Sequence, residues 1–402
     1  MTPRVSKLQI CVLMFVHAFA IALYLVPLPG VLKAHGLEDY VIYVFCIASA
    51  ASFVSPMIFG SLADRKFPPE RLLGVVTLGG AVLLCAVYSA IHFHWSPRTY
   101  LSLVVCYHLW AAPGWGLLTS IGLMHLERPE KEFPPLRVWA TIGFMLGAAC
   151  VSFVLKADRS PLCGFAAAAV FVGECLFCFS LPPSRPPPTA APRRLRDYLG
   201  WDALRLMADR DHRMIFLTTA LFSIPLAAFY PFTNRHLNSL DVESVSGWMS
   251  LAQFSEIAGM IGLAIIMGRF RMKWLMLAAL LLGVVRYVLY ATNDFAAIVV
   301  GISLHGLVYT LFFMTTQIYM EKRVSSSLRN QAQALLLLMA NGVGSLSGYL
   351  LSEWWYRQCL AGGHADWPRF WWPLAAAVAG VAVVFALGYR GAGRPLKEAG
   401  SE

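Results

Sequence analysis

Apolar stretches long enough to cross a lipid bilayer recur about twelve times along this 402-residue chain, with short charged loops between them. Their centres lie roughly at residues 20, 50, 82, 110, 147, 170, 224, 256, 282, 308, 342 and 379. In hydrocarbon a backbone has no water to bond to, so such a stretch must satisfy its own hydrogen bonds as a helix. The composition agrees: 58% of residues are hydrophobic and 13% charged, too apolar for a soluble domain of this size. The expectation is an all-α polytopic membrane protein with twelve transmembrane helices.

Charge sets the orientation. The net charge of +10 does not read as a nucleic-acid surface, because the basic residues alternate from loop to loop as the positive-inside rule requires. With the amino terminus in the cytoplasm, Arg65, Lys66 and Arg71 share one cytoplasmic loop, and Arg193, Arg194 and Arg196 lie in the largest one. An even number of spans then places both termini in the cytoplasm of a cell with this chain in its inner membrane. The apolar run after Lys7 is too long for a signal-peptide core and reads as the first span.

Several function classes are excluded. The sequence contains no P-loop, no G-x-S-x-G and no zinc-ligand spacing, which argues against an enzyme and against an ATP-driven pump. No cofactor or metal is expected. The nine cysteines lie mostly within spans; Cys175 and Cys178 form a C-x-x-C inside an apolar helix with no second pair, a packing arrangement. Energy for any transport must come from an ion or substrate gradient.

One long break divides the chain. It opens with Pro182-Pro183-Ser184-Arg185-Pro186-Pro187-Pro188, an extended linker, and passes through the basic cluster into Leu199–Met207, which could lie as a short amphipathic helix on the cytoplasmic face. The expected division is an amino-terminal bundle over 1–181, a linker over 182–213 and a carboxy-terminal bundle over 214–402. The halves echo each other: Gly60-Ser-Leu-Ala-Asp64-Arg65-Lys66 follows the second span, and Gly268-Arg269-Phe-Arg271 follows the eighth. A six-plus-six chain with a basic central loop and this Asp-Arg turn resembles the major facilitator superfamily. That resemblance implies two six-helix bundles rocking around a central site near the bilayer midplane, with Asp64 and Arg65 as a cytoplasmic gate. Members of that superfamily are often monomers.

Polar residues inside the spans carry the functional signal. Glu256 lies deep in the apolar stretch Val245–Met267, and Gln253 precedes it by one turn on the same face. A carboxylate there costs several kcal/mol, roughly 2.5–3.5 on insertion scales, so it is expected to face a water-filled path or an opposite charge. Arg137 opens the fifth span, with Thr141 and Phe144 continuing its face, and could neutralise Glu256. Arg286 and Tyr287 in the ninth span read as structural or clamp residues. Glu174 in the sixth span has no partner identifiable from sequence. Of the histidines within spans, His17, His108 and His305, the last is singled out because Tyr309 follows at i+4 and imidazole titrates near neutral pH. Trp354, Trp355, Trp367, Trp371 and Trp372 suggest an interfacial belt.

Within the superfamily, Phe133-Pro-Pro-Leu-Arg137-Val-Trp-Ala-Thr141-Ile-Gly-Phe144, Gln253-Phe-Ser-Glu256, Leu282-Gly-Val-Val-Arg286-Tyr, His305-Gly-Leu-Val-Tyr309, Gln317-Ile-Tyr319-Met-Glu321-Lys322 and Asn341-Gly-Val-Gly344 resemble the bacterial nucleoside:proton symporter family in order and spacing. The resemblance implies nucleoside uptake driven by inward proton flow. It also implies a site lined by Arg137, Thr141, Phe144, Gln253 and Glu256, to which Tyr230, His305 and Tyr309 add polar and aromatic groups. Glu256 and His305 are the proton-coupling candidates. Where the family often has an aspartate after the tenth-span aromatic, this chain has Thr310, and its seventh span is more apolar, with Tyr230 and Asn234 as the remaining polar candidates. Two other readings stand beside the nucleoside one: a symporter or exporter of another small polar metabolite such as a sugar or aromatic acid, and a membrane receptor that does not transport.

Overall fold

Helices follow the apolar runs. The computed structural model describes residues 5–63, 68–126, 129–182, 201–267, 269–362 and 364–391, and nearly all of these are helical. The amino-terminal half contains α1 (Lys7–Leu25), α2 (Leu28–Ala34), α3 (Val41–Ala63), α4 (Pro69–His92), α5 (Pro97–Ala111), α6 (Gly114–Met124), α7 (Pro129–Cys150) and α8 (Leu162–Ser180). A 3₁₀ helix, Trp201–Ala208, stands where the short amphipathic helix is expected. Then come α9 (Arg210–Leu226), α10 (Asn234–Ser239), α11 (Val245–Met249), α12 (Leu251–Ile266), α13 (Met272–Ala291), α14 (Phe295–Tyr309), α15 (Thr315–Arg323), α16 (Ser326–Leu337), α17 (Ser347–Gln358) and α18 (Trp367–Gly388). A two-stranded hairpin pairs Leu360 with Ala365 before the last helix.

Every expected centre falls in a helical segment, and ten helical stretches among the described residues are long and apolar enough to cross a membrane. The helices at the other two centres are α3 and α12, the latter only 16 residues long. The gate residues Asp64 and Arg65 lie outside the described residues, as does the proline-rich part of the linker.

Close helix contacts depend on small residues, as expected where lipid offers no hydrophobic drive between helices. A Cβ on Gly143 would stand 2.2 Å from the Phe15 carbonyl oxygen, and one on Gly147 would stand 2.5 Å from that of Phe19. These two glycines let α7 lie backbone against backbone on α1. The core beside this contact is formed by Leu13, Met14, Leu73, Leu118, Ile121 and Ala140.

Contacts divide the chain into two compact units: residues 1–192 with 230–253, and residues 193–229 with 254–402. The segment Tyr230–Gln253, on the carboxy-terminal side of the linker in sequence, therefore belongs to the first unit. Its polar contacts explain why. Asn234 donates to the Val26 carbonyl at 3.0 Å, the Ser246 N–H donates to Asp158 at 2.7 Å, and the Gly247 N–H donates to the Ser152 hydroxyl at 2.8 Å.

Two expectations are corrected. The apolar stretch Val245–Met267 is not one helix but α11 and α12, joined by a turn at Ser250. The Ser250 hydroxyl donates back to the Gly247 carbonyl at 2.6 Å, a local bond that competes with helix propagation. The tryptophans near the last helices are not all a belt. Trp354 and Trp372 are exposed, but Trp371 is fully buried and stacks on Tyr287 with ring centres 5.7 Å apart. An indole can occupy that core because Tyr290 and Phe370 pack edge-on against it.

Candidate substrate and proton sites

Five of the expected residues fall in the first unit. Arg137, Thr141 and Phe144 follow one another along a single face of α7. The Arg137 guanidinium lies over the Trp115 ring, 5.9 Å from its centre, a contact in which the ring quadrupole offsets part of the cost of a charge in low dielectric. Thr141 is buried. The Phe144 ring meets Tyr230 edge-on at 6.2 Å. Gln253 is buried, and its amide donates to the Tyr230 hydroxyl at 3.5 Å, the long limit of a hydrogen bond. A guanidinium, a hydroxyl, an amide and two aromatic rings thus come from three separate parts of the chain.

Three more fall in the second unit. Glu256 on α12 is partly buried, and its backbone carbonyl accepts from the Thr310 hydroxyl at 3.3 Å. Gly259 permits this approach, since a Cβ there would stand 3.2 Å from that of Thr310. His305 is 8% exposed and lies flat on Phe229, with 3.7 Å between ring centres and 9° between planes. Its Nδ1 accepts from Arg286, which is fully buried and also lies over the Tyr287 ring at 4.4 Å. Tyr309 stacks instead on Phe313 at 5.1 Å. The i, i+4 relation places His305 and Tyr309 one turn apart, yet each is held by a different aromatic partner.

Three partners escaped the sequence reading: Trp115 under Arg137, Phe229 under His305, and Arg286 as the donor to His305. Trp115 and Phe229 sit in apolar runs where an aromatic is unremarkable. Arg286 was visible as a buried charge, but its pairing with His305 was not.

The chemistry available is coherent. Within the first unit an amide can hold a hydroxyl and aromatic rings can cover a planar group; within the second a partly buried carboxylate or a buried imidazole can carry a proton. Membrane-crossing helices that hold such groups within them mark a multi-pass membrane transporter, not an enzyme. The chain belongs to the nucleoside H+ symporter family, whose model matches residues 5–394. It is 31% identical to the putative nucleoside transporter YegT of Escherichia coli K12, over 94% of this chain and 92% of that protein. To the nucleoside permease NupG of the same organism it is 25% identical, over 86% of this chain and 85% of that one. The crystal structure of NupG superposes with a TM-score of 0.82 at 22% identity, covering 95% of this chain and 98% of that chain, a likeness of fold.

Proposed function

We propose that this chain takes up nucleosides across the cell inner membrane, driven by inward proton flow and working by alternating access. In this reading it is a monomer with twelve membrane helices in two six-helix bundles, both termini in the cytoplasm, and Asp64 and Arg65 as its cytoplasmic gate. The observation that carries it is the contact of Phe144 with Tyr230 and of Tyr230 with Gln253 in the first unit, aromatic faces for a base beside an amide, with Arg137 on the same face of α7 as Phe144. Thr141 adds a hydroxyl. From the second unit, Glu256 binds ribose hydroxyls and the proton in turn, with His305 as the second proton candidate and Tyr309 as a further aromatic.

The test is uptake of labelled uridine and adenosine into proteoliposomes, with and without an imposed inward proton gradient. Accumulation that depends on the gradient supports the reading. Folded protein that moves neither nucleoside under any gradient overturns it.

One observation keeps a second reading open. Thr310 offers a hydroxyl, bonded to the Glu256 backbone, and adds no carboxylate. A symporter of another polar metabolite, such as a sugar, fits the same scaffold. Competition of uridine uptake by a panel of sugars and aromatic acids separates the two.

A further inference from the structure

The first unit contains a buried, hydrogen-bonded histidine–glutamate pair that the candidate site does not use. His17 on α1 and Glu174 on α8 are 5% and 1% exposed, and both lie inside candidate membrane spans. Nδ1 of His17 is 2.9 Å from one carboxylate oxygen of Glu174 and 3.2 Å from the other. With a neutral imidazole the pair holds one net negative charge away from water. Binding one more proton leaves a neutral pair of opposite charges. Such a proton belongs to the pair and not to either residue.

A cavity of about 190 Å³ adjoins it, lined by His17 together with Tyr24, Thr77, Tyr107, His108 and Trp115. Its volume and polar edges suit several waters, which is what proton access requires. Gly114 leaves room for the imidazole, since a Cβ there would stand 3.0 Å from its Cε1. The His17 ring lies 5.8 Å from that of Trp115, and Trp115 is the ring beneath Arg137.

Among the described residues, other titratable groups surround the pair. Tyr24 stands on α1, Tyr107 and His108 on α5, and Cys175 and Cys178 on α8. On α7, Arg137 lies across Trp115. On α4, Glu70 is engaged by His125, and Arg71 donates to the Phe179 carbonyl.

We propose that His17 and Glu174 form a one-proton site, filled through the adjoining cavity, whose state is relayed to Arg137 through Trp115. A role for that proton in driving uptake rests on the nucleoside–proton reading above.

Two measurements on the purified full-length protein test this. The first is tryptophan fluorescence from pH 5 to 8.5, with the Trp115 component obtained by difference from Trp115→Phe, because a protonated imidazole quenches a nearby indole. A single-proton transition in the wild type, absent in His17→Gln and altered in Glu174→Gln, is expected. No transition from Trp115, or one that survives His17→Gln, overturns the proposal. The second is uridine transport in proteoliposomes. Glu174→Gln is expected to keep uridine exchange, which needs no net proton movement, and to lose at least about tenfold in gradient-driven accumulation. Accumulation equal to wild type overturns the coupling role. If Glu174→Gln does not fold, His17→Gln carries both tests, since neither readout requires the carboxylate to be changed. A wild-type protein that shows the transition but accumulates no uridine keeps the proton site and sinks the nucleoside reading.

Discussion

Arg286 donates from Nη1 to Nδ1 of His305, and the His305 ring lies flat on Phe229. A guanidinium has donors and no acceptor, so Nδ1 is the accepting nitrogen and the ring proton of a neutral His305 resides on Nε2. A second proton on His305 must displace the arginine from Nδ1. Any proton-coupled step at His305 is therefore also a movement of Arg286, which is packed over the Tyr287 ring, whose hydroxyl in turn donates to the Pro225 carbonyl at 2.6 Å.

Arg286→Lys tests this cluster. Lysine keeps the charge but loses the planar fork and its contact with the rings. Loss of about 1.5–3 kcal/mol is expected, the range for a hydrogen bond to a charged group, read as a lower unfolding temperature in detergent. A variant as stable as wild type shows that the His305 contact contributes nothing.

Glu256→Gln preserves shape and removes the charge. It is expected to abolish pH-driven accumulation of uridine while leaving exchange between the two sides of the liposome. Unimpaired accumulation would falsify its assignment as the coupling carboxylate.

Phe144→Ala removes one of the two rings assigned to the base. Stacking of a base on an aromatic side chain contributes about 1–3 kcal/mol, so uridine affinity should fall by roughly tenfold. Equilibrium binding to the detergent-solubilised protein measures this, and unchanged affinity places the base elsewhere. Tyr230→Phe, which keeps the ring and loses the hydroxyl that accepts the long bond from Gln253, should have a smaller effect.

Gly143→Ala places a methyl group against the Phe15 carbonyl, where the obstacle is backbone and cannot turn aside. Overpacking of this kind costs about 1–3 kcal/mol and should lower the yield of monodisperse protein in size-exclusion chromatography. The same change at Gly116, where nothing lies within 4 Å of the added carbon, is the control and should be silent.

Asp209 caps α9, accepting from the N–H groups of Asp211 and His212 at 2.9 and 3.0 Å and from the His212 ring at 2.9 Å. Partial burial pushes its carboxyl up, but the bonds from His212 and Asp211 outweigh that and hold it below the usual range. Its folded pKa is thus lower than its unfolded one. The stability it contributes is fully present above about pH 4, the ordinary aspartate value, and is lost as pH falls through the lowered folded value. Asp209→Ala should cost about 1 kcal/mol at neutral pH and nothing further in acid. Melting curves of the two proteins that run parallel down to the lowest pH contradict the assignment.

The sequence alone located the membrane-crossing stretches and their polar exceptions, because hydropathy is a local property: each run of about 20 apolar residues declares its solvent without reference to the rest of the chain. Arg137, Thr141 and Phe144 were readable as one face from helical spacing, and Glu256 stood out because a carboxylate in hydrocarbon is costly wherever it lies. Which helix faces meet is a different kind of information. A span apolar on all sides has no periodic stripe to say where it points. His17 and Glu174 lie 157 positions apart, and nothing in either run names the other. The placement of Tyr230 against Phe144, the grouping of Tyr230–Gln253 with the first unit and the burial of Trp371 were all decided by tertiary packing. Contacts such as those of Gly143 and Gly147 set how closely the backbones approach, and that approach determines which polar side chains come within bonding distance.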